Sequence, residues 1–407
     1  MNYRSGTLLI GLSSAFIGFI MKLQCFLPEP SIFFTRILRT CYSDIPALYF
    51  ARDFNEGIIP YFDVQSDGQF LEYPVLIGIQ MYVSSIVTHI FQPGSFLLFT
   101  YINWSISLLL LAIALWYLDK IDVRAARWFA FSPALLLVLG INWDAIAILF
   151  LILGIYFFTK DRFFLMGVAL GLGMSGKLFP ILLLPIALLY LYDSKNFKAI
   201  KQSIVGALVS WTSVNALFIV FAFDGWIRFF EFSRTRPIDF GSLYYAFRYL
   251  FSIETSTALA NTIGSVSVVM AFVFVVIYRK RLPFMVSVTF VVSIFVLLNK
   301  VYSPQFWLWL APLFALVVKD RWNWIQWNTS QVFYYWSIWA FLAAYVGESY
   351  GISPKVYSLF ILLHVISTLV VLAVVIRELR QVEVMRELIV TSVWLVVRRV
   401  MFYKLNQ

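Results

Sequence analysis

Apolar positions in this chain do not alternate with polar ones; they run together. From 7–27 onward, stretches of Leu, Ile, Val, Phe and Ala recur along the whole length. They continue for about 17–25 residues, the length that spans a bilayer core as helix. Short polar joints separate them, and Trp and Tyr gather near their ends, as interfacial belts do. The pattern predicts an all-α fold, a polytopic transmembrane helical bundle.

Composition agrees. The 407 residues are 61% hydrophobic and 13% charged, against roughly 45–50% and about 25% in soluble domains, which excludes a soluble globule. The net charge of +10 does not imply nucleic acid. Lys and Arg concentrate in the joints, where they set topology, and no nucleic-acid partner is expected. The two cysteines, Cys25 and Cys41, make neither a disulfide framework nor a zinc spacing; whether they pair stays open. The first run follows Arg4 without a small-residue cleavage site and reads as a retained helix.

Charge asymmetry orients the rest. "YRKR" (278–281), "DSKNFKAIK" (193–201), "VKDRW" (318–322) and the tail from Arg377 are short and basic, so they are expected in the cytoplasm. Counting spans between them puts 223–258, "NKVYSPQ" (299–305) and "GESYGISP" (347–354) outside. "DKIDVRAAR" (119–127) and "TKDR" (159–162) also read as cytoplasmic. That requires "GINWDA" (140–145) to turn at the outer face and 163–192 to form two short spans meeting near Ser175 and Gly176, with Lys177 outside. The segment 74–91 then makes no net crossing and becomes a re-entrant or outer-leaflet helix. The alternative makes 163–192 one long helix and 74–91 a full span, at the expense of two basic outer loops. The preferred expectation is about twelve spans with both ends inside. Residues 1–376 form a single membrane-embedded domain with outer loops 28–73 and 223–258, and 377–407 a cytoplasmic amphipathic tail.

The outer side so defined collects unusual chemistry. The first loop carries seven acids, Glu29, Asp44, Asp53, Glu56, Asp63, Asp67 and Glu72, among Arg36, Arg39 and Arg52. Later come Asn142, Trp143 and Asp144, then Lys177, then Arg234 and Arg236, and finally Lys300 and Gln305. An outward cation opposes the topology rule, and a fixed anionic ligand would explain it. A carboxylate can take a proton from a hydroxyl nucleophile, and Lys or Arg can stabilise a departing phosphate. Together these point to glycosyl transfer from a lipid-phosphate carrier to an acceptor hydroxyl. Carbohydrate hydrolysis also uses paired carboxylates but leaves the outer cations unexplained.

The ordered motifs Tyr42-Ser43-Asp44, Gly57-x-x-Pro60-Tyr61, Glu72-Tyr73-Pro74, Asn142-Trp143-Asp144, Gly171-x-Gly173-x-x-x-Lys177-x-x-Pro180 and Asn299-Lys300-x-x-Ser303-Pro304-Gln305 cover most of the chain. Their pattern resembles the GT-C superfamily of membrane glycosyltransferases. More narrowly, it is similar to glycosyltransferase family 87, the bacterial polyprenol-phosphate-mannose-dependent mannosyltransferases. The resemblance implies a GT-C fold in the bacterial plasma membrane with the site on its outer face. It implies a polyprenyl-phosphate sugar donor, mannose as the sugar, a lipid-linked or envelope glycan acceptor, and inversion at the anomeric carbon. It also implies a catalytic carboxylate in the first outer loop. At the family's acidic motif this sequence has Asp44 without a neighbouring acid, so no divalent metal or other cofactor is expected.

The expected roles are Asp44 as base, with Glu72, Tyr73, Asn142, Asp144, Lys177, Arg234, Arg236, Lys300 and Gln305 as substrate-binding residues. Each has a plainer reading. Asp44, Glu72 and Asp144 could cap helices, Lys177 could snorkel to the interface, and Arg234 and Arg236 could be loop charges. His89 and His364 are expected to satisfy local hydrogen bonds. Gly167, Gly171 and Gly173 read as close helix packing. The rival functions are a multi-pass transporter or lipid flippase, which would carry its acids in mid-span, and a non-catalytic partner in envelope assembly.

Overall fold

A computed structural model describes residues 3–23, 42–345 and 351–405, with side chains described over 6–23, 42–344 and 351–379. Cys25, Cys41, Glu29, Arg36 and Arg39 lie outside the described residues, as do the side chains of most of the tail. Among the described residues the regular structure is entirely helical. In chain order the α-helices are α1 (Tyr3–Leu23), α2 (Asp44–Ala51), α3 (Val75–Phe91), α4 (Phe96–Ile121), α5 (Val123–Ala130) and α6 (Pro133–Leu137). Next come α7 (Asp144–Thr159), α8 (Phe163–Gly176), α9 (Leu183–Asp193), α10 (Phe197–Phe221), α11 (Phe223–Thr235) and α12 (Leu243–Phe251). The last five are α13 (Thr257–Tyr278), α14 (Phe284–Leu297), α15 (Phe306–Val317), α16 (Arg321–Tyr345) and α17 (Pro354–Leu405). Helix α17 continues unbroken through residue 377, where the sequence reading set a boundary.

Among the described residues, five helical stretches are long and apolar enough to cross a membrane: Gly6–Leu23, Phe96–Ile121, Phe197–Phe221, Thr257–Tyr278 and Pro354–Leu379. Other apolar runs are divided into shorter helices, and the divisions follow local chemistry. Asp122 breaks α4 from α5 by accepting from Ala125 N at 3.0 Å. Ser132 caps α6 at Ala134 N, with Pro133 in its first turn, where a missing N–H is harmless. At Lys177 the chain becomes extended, at φ −151° and ψ 147°, which ends α8 before the short 3₁₀ helix Phe179–Leu182.

Packing sets helix directions. Helix α1 runs antiparallel to α4, since Gly11 meets Leu115 while Phe19 stacks on Trp104 at 4.7 Å. Helices α8 and α10 run parallel: Gly167 abuts Ser203 O, Gly171 abuts Ala207 O, and Asn215 Nδ2 donates to Ser175 Oγ at 2.9 Å. A Cβ at Gly167 would sit 2.0 Å from that carbonyl, so glycine is required for the approach, as its reading as a packing residue anticipates. Because α8 and α10 are parallel, the chain must return between them, and Lys177 lies at the end opposite Lys160 and Lys195. That far end is tied by Arg124 Nη1 to Val318 O at 2.7 Å and by Arg279 Nε to Asp193 Oδ2 at 2.7 Å. Helix α3 begins beside Tyr73 and ends with His89 Nε2 3.0 Å from Asn55 O. Both its ends therefore pack against residues of the 42–73 segment, Gly78 against Tyr61 and His89 against Asn55. His89 also has Nδ1 2.9 Å from Ser85 O, so its ring is locally satisfied.

Candidate active site

Five stretches distant in sequence, at 42–44, 73, 140–144, 177 and 309, meet at the Lys177 end of the bundle. The entry to α2 is stitched to the turn before α7: Ser43 Oγ donates to Gly140 O at 2.7 Å, and Asp44 N donates to Ile141 O at 2.8 Å. The N-cap of α2 is Ser43, whose hydroxyl accepts from Ile45 N. The capping alternative for Asp44 is thereby corrected: the serine before it takes that place and leaves the carboxylate for other partners. Asp44 Oδ1 accepts a short hydrogen bond from Tyr42 Oη, and Oδ2 accepts from Asn142 Nδ2 at 2.7 Å. Burial pushes the Asp44 carboxyl above the usual carboxylate range, and the charge of Asp144 adds to that. The bonds from Tyr42 and Asn142 and the charge of Lys177 oppose it.

Asp144 opens α7 without capping it through its side chain. Its Oδ1 accepts from Trp309 Nε1 at 2.8 Å and lies 3.7 Å from Lys177 Nζ, while its buried Oδ2 has no hydrogen-bond partner among the described residues. Lys177 Nζ also lies 3.4 Å from Asn142 Oδ1 and 5.2 Å from the centre of the Tyr73 ring. The Lys177 side chain is only 16% exposed; it turns inward to this cluster and does not reach outward for water. Tyr73 Oη accepts from Asn142 Nδ2 at 3.0 Å, and its ring meets Trp143 edge-on. Trp143 in turn donates Nε1 to Asn103 Oδ1 at 2.7 Å. Asp44, Tyr73, Asn142, Asp144 and Lys177 therefore form one contact group.

The other candidates sit differently. The Glu72 carboxylate is held by Arg52, whose Nε donates to Oε2 at 2.8 Å, so it serves the loop rather than the cluster. Arg234 is exposed, and its carbonyl accepts from Lys300 Nζ at 2.8 Å. Arg236 pairs with Asp239 at 3.2 Å, and Asp239 N donates to Lys300 O at 2.9 Å. Burial lowers the proton affinity gap of this group from both sides: the Asp239 carboxyl is pushed up and the Lys300 ammonium down. These residues join the 223–258 loop to the 299–305 turn and do not touch Asp44 or Lys177. Gln305 accepts from Ser303 Oγ and lies one helical turn before Trp309. Asp53, Asp63 and Asp67 bond loop backbone at Ser66, Ile59 and Gln69.

Sequence reading missed four participants. Tyr42 is one, donating to Asp44 Oδ1; partial burial first, then the charges of Asp44 and Asp239, raise its phenol. Trp309, Asp239 and Arg52 are the others. Tyr42 carried a signal in its place two residues before Asp44 in the first motif, and Trp309 in its spacing of four from Gln305 on one helix face. His364 is a correction: neither ring nitrogen has a hydrogen-bond partner among the described residues. Its ring lies 4.4 Å from that of Tyr302 and 4.2 Å from that of Tyr334, so packing between aromatics replaces the expected bonds. Among the described residues no three His, Cys, Asp or Glu side chains converge to hold a metal ion. Compared with known protein families and with curated protein sequences, the chain matches none.

Proposed function

We propose that the chain is an integral membrane glycosyltransferase of GT-C type, moving a sugar from a polyprenyl-phosphate carrier to a lipid-linked or envelope glycan acceptor. The observation that carries the reading is the contact group itself. A half-buried carboxylate of raised proton affinity lies beside an inward ammonium and an aromatic ring, at one end of an apolar bundle. In the reaction the acceptor oxygen attacks the anomeric carbon as its proton passes to Asp44. The bond from that carbon to the phosphate oxygen breaks, and the polyprenyl phosphate leaves against Lys177. Lys177 is already offset by Asp144, which suits a singly charged phosphodiester. Tyr73 offers a face for the sugar. Holding donor and acceptor in line supplies much of the rate gain.

The reading takes the site end as the outer face of a bacterial plasma membrane and about twelve spans. Supporting it are the antiparallel packing of α1 on α4 and the parallel run of α8 and α10, which requires α9 to return between them. Helix α8, with 14 residues, rises about 21 Å, short of the roughly 30 Å hydrocarbon core, which leaves Lys177 recessed. Mannose as the sugar, and the narrower family, rest on the resemblance of motifs alone. No mid-span carboxylate among the described residues favours the transporter reading. The test is direct: purified chain is incubated with synthetic polyprenyl-phosphate sugars and lipid extract, and products are identified by mass spectrometry. Absence of transfer from every donor overturns the reading.

A further inference from the structure

Asn142 entered the site as a substrate ligand, yet its amide has nothing left to offer a substrate. One N–H goes to Asp44 Oδ2 at 2.7 Å and the other to Tyr73 Oη at 3.0 Å. Its Oδ1 accepts from Trp143 N at 2.7 Å and from Lys177 Nζ at 3.4 Å. A carboxamide has two donors and two acceptor lone pairs, so all four are used. The orientation is unique. Turned over, the amide would set its oxygen against a carboxylate and its NH₂ against an ammonium and a backbone N–H. The residue is 3% exposed, so water does not compete.

We propose that Asn142 is a positioning residue whose saturated amide orients the Asp44 carboxylate, while Lys177 is held on its other side by Asn142 Oδ1 and Asp144. As far as it concerns catalysis, the inference rests on the glycosyl-transfer reading. Asp44 and Lys177 have opposite tasks and opposite charges, and direct pairing would occupy both. The amide between them presents a donor to the anion and an acceptor to the cation, so each keeps one side open. Donation to the ionised carboxylate also favours that ionised form. The other charged or titratable groups facing Asp44 are Tyr42, Lys22, Tyr73, Asp144 and Lys177, and each remains when Asn142 is replaced.

The experiment titrates Asp44 itself, in purified full-length chain without donor. The protonated-carboxyl infrared band is followed against pH and assigned by its loss in Asp44→Asn. Asn142→Leu keeps the volume and removes the donor. The band should persist to a pH about one to two units higher, the equivalent of one charge-assisted hydrogen bond. Asn142→Asp, nearly isosteric, should move it at least as far, since two carboxyls then share a proton. Tyr73→Phe should leave it in place, because donation from Asn142 to Asp44 survives. In the transfer assay, Asn142→Leu should lower kcat about tenfold to a hundredfold near neutral pH, with KM little changed and partial recovery at higher pH. An unmoved band in Asn142→Leu or Asn142→Asp overturns the inference even where the wild-type chain transfers sugar. A shifted band in a chain that turns over no donor upholds the positioning role and overturns the glycosyl-transfer reading.

Discussion

Lys177→Met removes one ammonium and keeps the apolar stem. The loss falls first on Asp144, whose side chain is 1% exposed and whose Oδ1 lies 3.7 Å from Nζ. At an effective dielectric of about 20, unit charges 3.7 Å apart attract by about 4.5 kcal/mol. Desolvation offsets part of this, but deleting one partner of a buried pair still costs about 3–5 kcal/mol, because the other charge is left uncompensated. With the Lys177 side chain 16% exposed, the lower end, about 3 kcal/mol, is expected. The single variant should therefore unfold in detergent micelles at a clearly lower temperature than wild type. Lys177→Met combined with Asp144→Asn should recover most of the difference, since the stranded charge is gone. Intrinsic tryptophan fluorescence against temperature reads both. If Lys177 also holds the donor phosphate, the rescued double variant should still lose about tenfold to a hundredfold in donor affinity or turnover. Lys177→Arg should recover only part, because a planar fork does not replace a compact ammonium. A single variant as stable as wild type, or a double variant no more stable than the single, would refute the pairing. Normal transfer by the double variant would move the phosphate site to Arg234, Arg236 or Lys300.

Three further outcomes are expected. Asp44→Asn should reduce transfer by roughly 10²–10⁴. The wild-type rate, which needs ionised Asp44, should fall as pH drops through a value above the ordinary carboxylate range, because burial raises this carboxyl; near-wild-type turnover in Asp44→Asn would remove the base. Gly167→Ala drives a methyl group into Ser203 O, a contact of 2.0 Å before relaxation, and should cost about 1–3 kcal/mol in thermal stability; an unchanged midpoint would refute the close approach of α8 and α10. In a background with both cysteines replaced by Ser, Asp67→Cys, Thr235→Cys and Ser353→Cys should react with an impermeant thiol reagent from outside the cell. Ser194→Cys should react only after lysis, and labelling of it in intact cells would invert the orientation.

What the sequence determined by itself is local. An apolar run lowers its energy in lipid only as helix, since each backbone N–H must find a carbonyl within its own segment. The all-helical character, the division at 177 and the tight packing at Gly167 and Gly171 were legible for that reason. The acidic stretch was legible as a polar segment between apolar runs, though not that it contains helix α2, and Asn142, Asp144 and Lys177 as residues out of place among apolar neighbours. Tertiary structure alone decided which of these meet. Helices apolar on every side carry no periodic signal of their rotation, so nothing in the sequence aims Trp309 at Asp144 across 165 residues or Asn142 at Asp44 across 98. Nor does it show that Ser43 rather than Asp44 caps α2, that Arg52 occupies Glu72, or that Lys300 is spent on a carbonyl. Those outcomes depend on long-range packing, where each buried polar group must find whatever partner the fold brings within reach.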